Sequence, residues 1–280
     1  MKYIHAIKGA AIAFVIFSLA ARFIPSNGSV DDVQLVLTIS TFLFAIISGF
    51  FISRLNARYD GIRELISKED AIFASLYQIS RFFGKKFQTK IGNIIDEYYI
   101  IAYDDELGVY KENKAQFLSI YTELEKVKIA KNSKADKIFS EVIVALIEAE
   151  NIRNKSSVIS REKVRVGQWV VMLILSGIII FSIFFIKSSG VFSQITTVLL
   201  STTLVLVMLL IRDLQNCRLN GELLLVESGQ EVFEDMGKLR YYNHFFLEEG
   251  TCKVPAHVKK YRLGMHKAGE KHKIKIVENL

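Results

Sequence analysis

Few residues of this sequence have types that suit metal or nucleophilic chemistry, and those few are scattered. The histidines are His5, His244, His257, His266 and His272. The cysteines, Cys217 and Cys252, form no C-x-x-C pair. The sequence also contains no H-E-x-x-H motif and no glycine-rich phosphate loop. We therefore expect neither an enzyme nor a bound cofactor, and the spacing predicts no metal site.

Three adjacent carboxylates, Asp104, Asp105 and Glu106, offer the chemistry of a cation site. No spaced set of oxygen ligands follows them in the manner of an EF-hand. Such a run is more often a solvated turn, so we expect a break between two helices here.

Long uncharged segments dominate the rest of the chain. Hydrophobic residues make up 51% of the sequence, and only two prolines interrupt it. Residues 33–53, 166–186 and 192–211 carry no charge. At a rise of about 1.5 Å per residue, each segment is long enough to cross a bilayer as a helix. The sequence therefore predicts at least three membrane spans.

The first apolar run, residues 9–21, is shorter and lies between Lys8 and Arg22. Its length, together with the small residues around Ser18, also fits a signal peptide. The flanking cations can snorkel to the membrane surface, which favours a retained first transmembrane helix. We therefore expect four spans in all.

Cations are concentrated on one side of these spans. Arg54 and Arg58 follow the second span, Lys163 precedes the third, and Arg212 closes the fourth. The positive-inside rule then places both termini in the cytoplasm and the protein in the cell (inner) membrane, with lipid as its surroundings. This arrangement explains the net charge of +7 without nucleic acid.

We predict an all-α fold of four transmembrane helices and a helical cytoplasmic domain. The tail from 251 carries eight Lys/Arg and two Glu, which favours a flexible segment near anionic lipid. Within the preceding segment we expect an amphipathic helix over residues 229–246. The predicted divisions are 1–53 (first two spans), 54–165 (cytoplasmic domain), 166–212 (last two spans), 213–250 (cytoplasmic helical segment) and 251–280 (flexible tail).

The second span carries a stripe of one residue in four, namely Thr38, Phe42 and Ile46. If several copies of the chain surround an axis, this stripe makes an apolar constriction that gates by dewetting. Contact with lipid or with other helices is the commoner use of such a stripe.

The junction after this span carries the sequence Arg54-Leu55-Asn56-Ala57-Arg58-Tyr59-Asp60. It resembles the R-x-N-A-x-Y-D segment that follows the pore helix of prokaryotic bestrophins. The order of two spans, a helical domain, two spans and a tail is similar to bestrophin topology over about residues 1–250. The resemblance implies a homopentamer with a central ion pathway lined by the second span.

The same resemblance assigns candidate site residues. Its three neck positions fall on Thr38, Phe42 and Ile46, where Thr38 departs from the apolar pattern of the family and makes the outer neck wetter. The cytoplasmic mouth would be formed by Arg54, Arg58, Tyr59 and Asp60. The acidic calcium clasp of animal bestrophins is missing, since residues 213–216 contain one carboxylate, so calcium gating is not expected.

Two functions remain in competition. The first is an ion channel, with anions such as chloride favoured by rings of Arg54 or Arg58, and cations favoured if Asp60 or Asp104 faces the axis. The second is a non-conducting membrane scaffold or sensor whose cytoplasmic helices bind a partner. A membrane-embedded enzyme is a distant third.

Overall fold

The computed structural model describes residues 4–25, 29–104, 113–128, 134–219, 222–223, 227–267 and 269–279. Most of these residues are helical. The α-helices are α1 (Ala6–Phe23), α2 (Val30–Ser80), α3 (Lys85–Asp104), α4 (Lys114–Glu125), α5 (Lys134–Ser160), α6 (Val166–Ile186), α7 (Val191–Gln215), α8 (Glu227–Asp235) and α9 (His244–Glu249). The strands are β1 (Arg218–Leu219), β2 (Glu222–Leu223), β3 (Tyr241–Asn243), β4 (Lys260–Gly264) and β5 (Ile274–Glu278).

The chain divides into two compact units. Unit 1 comprises Met1–Tyr59 and Lys163–Glu222, and unit 2 comprises Asp60–Glu162 and Leu223–Leu280. Four helices, α1, α2, α6 and α7, are long and apolar enough to cross a membrane. Their apolar segments all fall in unit 1.

Helix α2 continues without interruption for 51 residues, from Val30 to Ser80. The regular helical spacing of apolar residues after Arg54 predicts that the second span continues as an amphipathic helix, and this prediction is confirmed. A 3-10 turn over Arg81–Phe83 follows, and Gly84 then has φ +102°. Side chains other than glycine rarely adopt this conformation, which explains why the helical run ends here, as the sequence suggested.

Within unit 1, α1 packs closely against α7. Its buried side chains are all alanines: Ala6, Ala10, Ala13 and Ala21. Gly9 adds to this small face, because a Cβ placed on it would lie 2.5 Å from Leu209 Cδ1. Small residues allow helix axes to approach closely in a membrane, where packing replaces the hydrophobic effect. The short first apolar run thus forms an integral helix of unit 1.

Aromatic side chains contact one another in the core of unit 2. Phe73 of α2 contacts Tyr98 and Tyr99 of α3, with ring centroids 4.8 and 5.7 Å apart. Phe117 of α4 and Phe233 of α8 join the same buried cluster. Tilted and edge-on rings of this kind stabilise a core beyond the area that they bury.

The C-terminal region corrects three predictions. Residues 229–246 do not form one helix, because α8 ends at Asp235 and β3 precedes α9. The flexible tail is also wrong, since β4 pairs in parallel with β3 and antiparallel with β5. The fold is therefore mostly helical rather than all-α. Lysine and isoleucine alternate in β5, which is a strand pattern. The high charge of the tail led to the prediction of a flexible segment instead.

Several turns predicted from the sequence lie outside the described residues. These are Asn27-Gly28, Asp105 to Gly108, Lys131-Asn132-Ser133 and Asn220-Gly221.

Candidate functional site

The three predicted neck residues lie on one exposed face of α2. Phe42 and Ile46 are 65% and 54% exposed, and Thr38 is exposed as well. The Thr38 hydroxyl donates a hydrogen bond to the Gln34 carbonyl at 2.8 Å. A threonine that bonds its own helix in this way hides its polarity from a neighbour. The face is thus largely apolar and has no packing partner within the described part of the chain.

The opposite face of α2 is buried within unit 1. Phe44, Phe51 and Leu55 pack in one apolar cluster with side chains of α6 and α7. The partners that share this cluster are Met172, Leu175, Ile179, Ile183, Met208, Ile211 and Leu214. This packing fixes the rotation of α2 about its axis and therefore determines which residues remain on the exposed face.

A second exposed strip lies beside the predicted neck. Val36, Leu43 and Phe50 are 49%, 42% and 60% exposed, and their spacing of seven places them in line. At about 100° per residue, Leu43 lies about 100° around the helix from Phe42, whereas Phe50 lies one turn beyond Ile46 and is at the edge of both strips. The helix thus offers two adjacent apolar strips for different surroundings.

The predicted mouth residues do not share one environment. Arg54 and Asp60 are exposed, and Tyr59 is half-buried. Arg58 is only 7% exposed, and its Nη1 donates to the Gln215 carbonyl at 3.0 Å. Gln215 is the last residue of α7, where helix carbonyls lack partners within the helix. Arg58 therefore links α2 to the end of α7, a contact that the sequence pattern did not predict.

In unit 2, α2 carries a charged surface groove. It is lined by Asp60, Arg63, Glu64, Ser67, Lys68 and Ala71. Glu64 Oε1 and Lys68 Nζ form an ion pair at 2.6 Å across this surface. The spacing of three and four residues places these side chains on one face of the helix.

Two polar residues of the fourth span bond their own helix. The hydroxyls of Thr196 and Thr203 donate to the Phe192 and Leu199 carbonyls one turn earlier. Among the described residues, the buried atoms Ser201 Oγ and Thr202 Oγ1 have no hydrogen-bond partner. Thr196 and Thr203 therefore present little polarity to a neighbouring helix.

Buried carboxylates form the strongest polar contacts of unit 2, and sequence reasoning missed most of them. Glu69 accepts a hydrogen bond from the Tyr98 hydroxyl, and Arg153 Nε lies 3.8 Å from its Oε1. The adjacent Asp70 accepts from Tyr99 at 2.6 Å and from Ser228 at 2.7 Å. One signal was available, because these two charges interrupt the helical run of apolar positions just before Phe73.

The third buried carboxylate is Asp104, which the acidic run had offered as a cation site or a pathway lining. Its side chain is 3% exposed and accepts hydrogen bonds from Tyr241, Asn243 and His266. It thus lies in the interior of unit 2. Asp105 and Glu106 lie outside the described residues.

Most of the sequence matches the model of one protein family. The Bestrophin-like domain model covers residues 9–216, which include α1 from its fourth residue and the whole of α2 to α7. Neither the curated proteins nor the solved structures include a match of comparable significance. Membership of this family, together with the four apolar helices, makes this a membrane protein and suggests an ion channel rather than an enzyme. The chain belongs to the bestrophin-like family.

Proposed function

We propose that this protein is a homopentameric ion channel in which α2 lines the central pathway and Thr38, Phe42 and Ile46 form an apolar neck. The observation that carries the proposal is the division of α2 into two faces. One face is buried against α6 and α7, and the face that bears the neck residues is exposed. Five copies around an axis would cover that face and narrow the pathway at Phe42 and Ile46.

An apolar neck suits a channel because it can exclude water when narrow and conduct when slightly wider. The second strip, at Val36 and Leu43, would then contact a neighbouring subunit or lipid. Lipid is the competing occupant for both strips, since a membrane-spanning helix always exposes apolar side chains.

We further propose that the channel favours anions. Arg54 is exposed at the end of the apolar segment, where five copies would form a positive ring. The charged groove on α2 has no net charge, because its two acidic side chains, Asp60 and Glu64, match its two basic side chains, Arg63 and Lys68. Arg54 is therefore the residue on which the sign of the selectivity depends.

We propose that unit 2 and both termini lie in the cytoplasm and that the spans lie in the inner membrane, and the cation bias supports this orientation. On the other side, Lys187 is buried, with its Nζ donating to the Ala21 carbonyl at the end of α1 at 2.8 Å. This cation thus serves a helix end rather than the membrane surface. Labelling of single cysteines at Asn56 and Ser188 in intact cells tests the orientation, and external labelling of Asn56→Cys would contradict it.

Flux of chloride through purified protein in liposomes tests the channel. We expect Phe42→Ala and Ile46→Ala to raise the flux several-fold, because each widens the neck and weakens its exclusion of water. Arg54→Glu should lower the preference for chloride over sodium. The matched control is Phe181→Ala, which removes the same side chain at a similar exposure, 66% against 65%, from α6 rather than from α2 and should leave the flux nearly unchanged.

Each variant must first elute as a folded pentamer, which its mass in detergent establishes. A folded monomer, or a pentamer that conducts neither chloride nor sodium in any variant, would contradict the channel. That result would favour a scaffold or sensor that uses unit 2 to bind a partner.

A further inference from the structure

Three residues that are distant in the sequence meet in unit 2. Asp104 ends α3, His266 follows β4, and His272 precedes β5. One ligand atom from each lies within 4.8 Å of the other two. His266 Nε2 is 2.7 Å from Asp104 Oδ2, and the centroids of the two imidazole rings are 4.7 Å apart.

The surroundings hold Asp104 in place. Its Oδ1 accepts hydrogen bonds from the Tyr241 hydroxyl and, at 2.8 Å, from Asn243 Nδ2. Its Oδ2 faces His266. An ion bound to Oδ2 would therefore leave both Oδ1 contacts intact. Hydrogen bonds of this kind orient carboxylate and imidazole ligands in metal sites.

The hydrogen bonds of His266 show which form of the ring is present. The Lys273 backbone N–H donates to Nδ1 at 3.2 Å, so Nε2 carries the proton that Asp104 accepts. His266 is thus a neutral imidazole beside a carboxylate, and both are protonation states that bind metal ions.

His272 distinguishes this group from an ordinary buried histidine–aspartate pair. Its side chain is 27% exposed, whereas those of His266 and Asp104 are 1% and 3% exposed. Its Nδ1 lies 3.5 Å from Glu97 Oε1. The group is therefore accessible to solvent beside His272. A carboxylate oxygen of Glu97 lies close enough to serve as the fourth ligand.

We propose that Asp104, His266 and His272 bind a transition-metal ion of the zinc class, with Glu97 or water in the fourth position. Two nitrogen donors and a carboxylate suit Zn²⁺, whereas Ca²⁺ and Mg²⁺ require mostly oxygen ligands. The ion would replace the proton between His266 Nε2 and Asp104 Oδ2. That proton moves to Nδ1, and the Lys273 N–H turns away.

The required movement is small. Two ligands of a tetrahedral zinc ion lie about 3.4 Å apart when each bond is about 2.1 Å long, against 2.7 Å between His266 Nε2 and Asp104 Oδ2 and separations within 4.8 Å in the whole group. The β4–β5 connection carries both histidines and contains Gly269 at φ +78°. The bound ion would fasten this connection to the end of α3, within unit 2.

The group extends beyond the family domain. Asp104 lies within the family-matched residues 9–216, but both histidines lie beyond them. The proposal therefore concerns a property of this chain's C-terminal segment rather than of the family domain.

The test uses the full-length protein in detergent, purified without a histidine tag and stripped with a chelator. Titration with Zn²⁺ alone is expected to load one ion per chain and to raise the melting temperature. His272→Ala should weaken binding at least about tenfold, because it removes a ligand. Asp104→Asn, a second variant, should weaken binding as well.

The matched control is His257→Ala, which removes an exposed histidine of the same unit and should leave binding unchanged. Circular dichroism establishes that each variant is folded before titration. The proposal is overturned if the stripped wild type binds no stoichiometric zinc, or if folded His272→Ala binds it as tightly as the wild type.

Discussion

Buried charged side chains serve different purposes in the two units. In unit 1 they bond backbone groups at the ends of helices. Asp213 Oδ2 accepts from the Ala6 N–H at 2.8 Å, and Lys187 donates to the Ala21 carbonyl. A membrane helix satisfies its own backbone except at its ends, which is where unit 1 places its charges.

In unit 2 the buried charges bond other side chains that come from distant parts of the chain. Glu69 contacts Tyr98 and Arg153, which lie on α3 and α5. Networks of this kind specify one arrangement of the core, and they leave a costly unpaired charge when one member is removed. The comparison teaches that unit 1 depends on helix ends and unit 2 on its interior network.

The largest effect is expected from Arg153→Met. The Arg153 guanidinium lies near Glu69, donates to Asn113 Oδ1 at 2.8 Å and lies 4.4 Å from the Phe117 ring centroid. Its loss leaves Glu69 as a buried charge without this cation, so the free energy of unfolding should fall by about 3–5 kcal/mol. Denaturant titration followed by circular dichroism measures the change.

Two further variants make this result specific. Adding Glu69→Gln to Arg153→Met should recover part of the lost stability, because it removes the buried charge. Lys68→Met breaks an exposed ion pair and should have no measurable effect. Equal stability of Arg153→Met and the wild type would contradict the role given to the network.

The next effect concerns Asp70 and pH. Burial raises the pKa of Asp70 to about 6, against hydrogen bonds from Tyr99 and Ser228 that lower it. The folded protein therefore binds a proton that the unfolded chain releases between about pH 4 and 6. This stabilisation is present below about pH 4 and is lost as the pH rises through 6.

Asp70→Asn keeps the shape of the side chain and removes the charge. At pH 7.5 it should be more stable than the wild type, by up to about 3 kcal/mol for a shift of about two pKa units. The difference should disappear near pH 4. Melting curves of both proteins across this range measure it, and a constant difference at every pH would count against a buried Asp70.

A smaller effect is expected from Asp213→Ala in unit 1. This change removes the acceptor of the Ala6 N–H and of the Arg212 guanidinium, which should cost about 1–3 kcal/mol. The control is Asp31→Ala, the same substitution at an exposed position of the same unit. Thermal unfolding of both variants in detergent measures the change. An equal loss of stability in both variants would contradict a specific role of Asp213 at the end of α1.

The sequence was sufficient for features that depend on neighbouring residues. Charge and hydropathy predicted the spans and the unbroken α2, because a helix is specified by local spacing. The stripe of Thr38, Phe42 and Ile46 follows from the same periodicity. Its exposure required the structure, since the burial of Phe44 and Phe51 depends on α6 and α7.

Features that depend on distant pairs were not predictable in this way. Asp104 and His266 are 162 positions apart, and the pairing of Tyr241 with Arg262 joins parallel strands that no tight turn connects. Arg58 follows a span, where a cation usually marks the cytoplasmic side. Nothing in the sequence around it therefore indicates that it bonds the Gln215 carbonyl. In each case the partner, rather than the residue type, determines the role.

The unbroken helix α2 constrains how the chain can change in length. The helix contributes Phe44 and Phe51 to the core of unit 1 and Phe73 and Leu76 to the core of unit 2. Deleting one residue between Leu55 and Phe73 would rotate one set against the other by about 100°. An insertion of seven residues would rotate it by only about 20°. Changes in the length of this helix are therefore expected to be tolerated in whole pairs of turns, whereas the hairpin around Ser188 can gain or lose single residues.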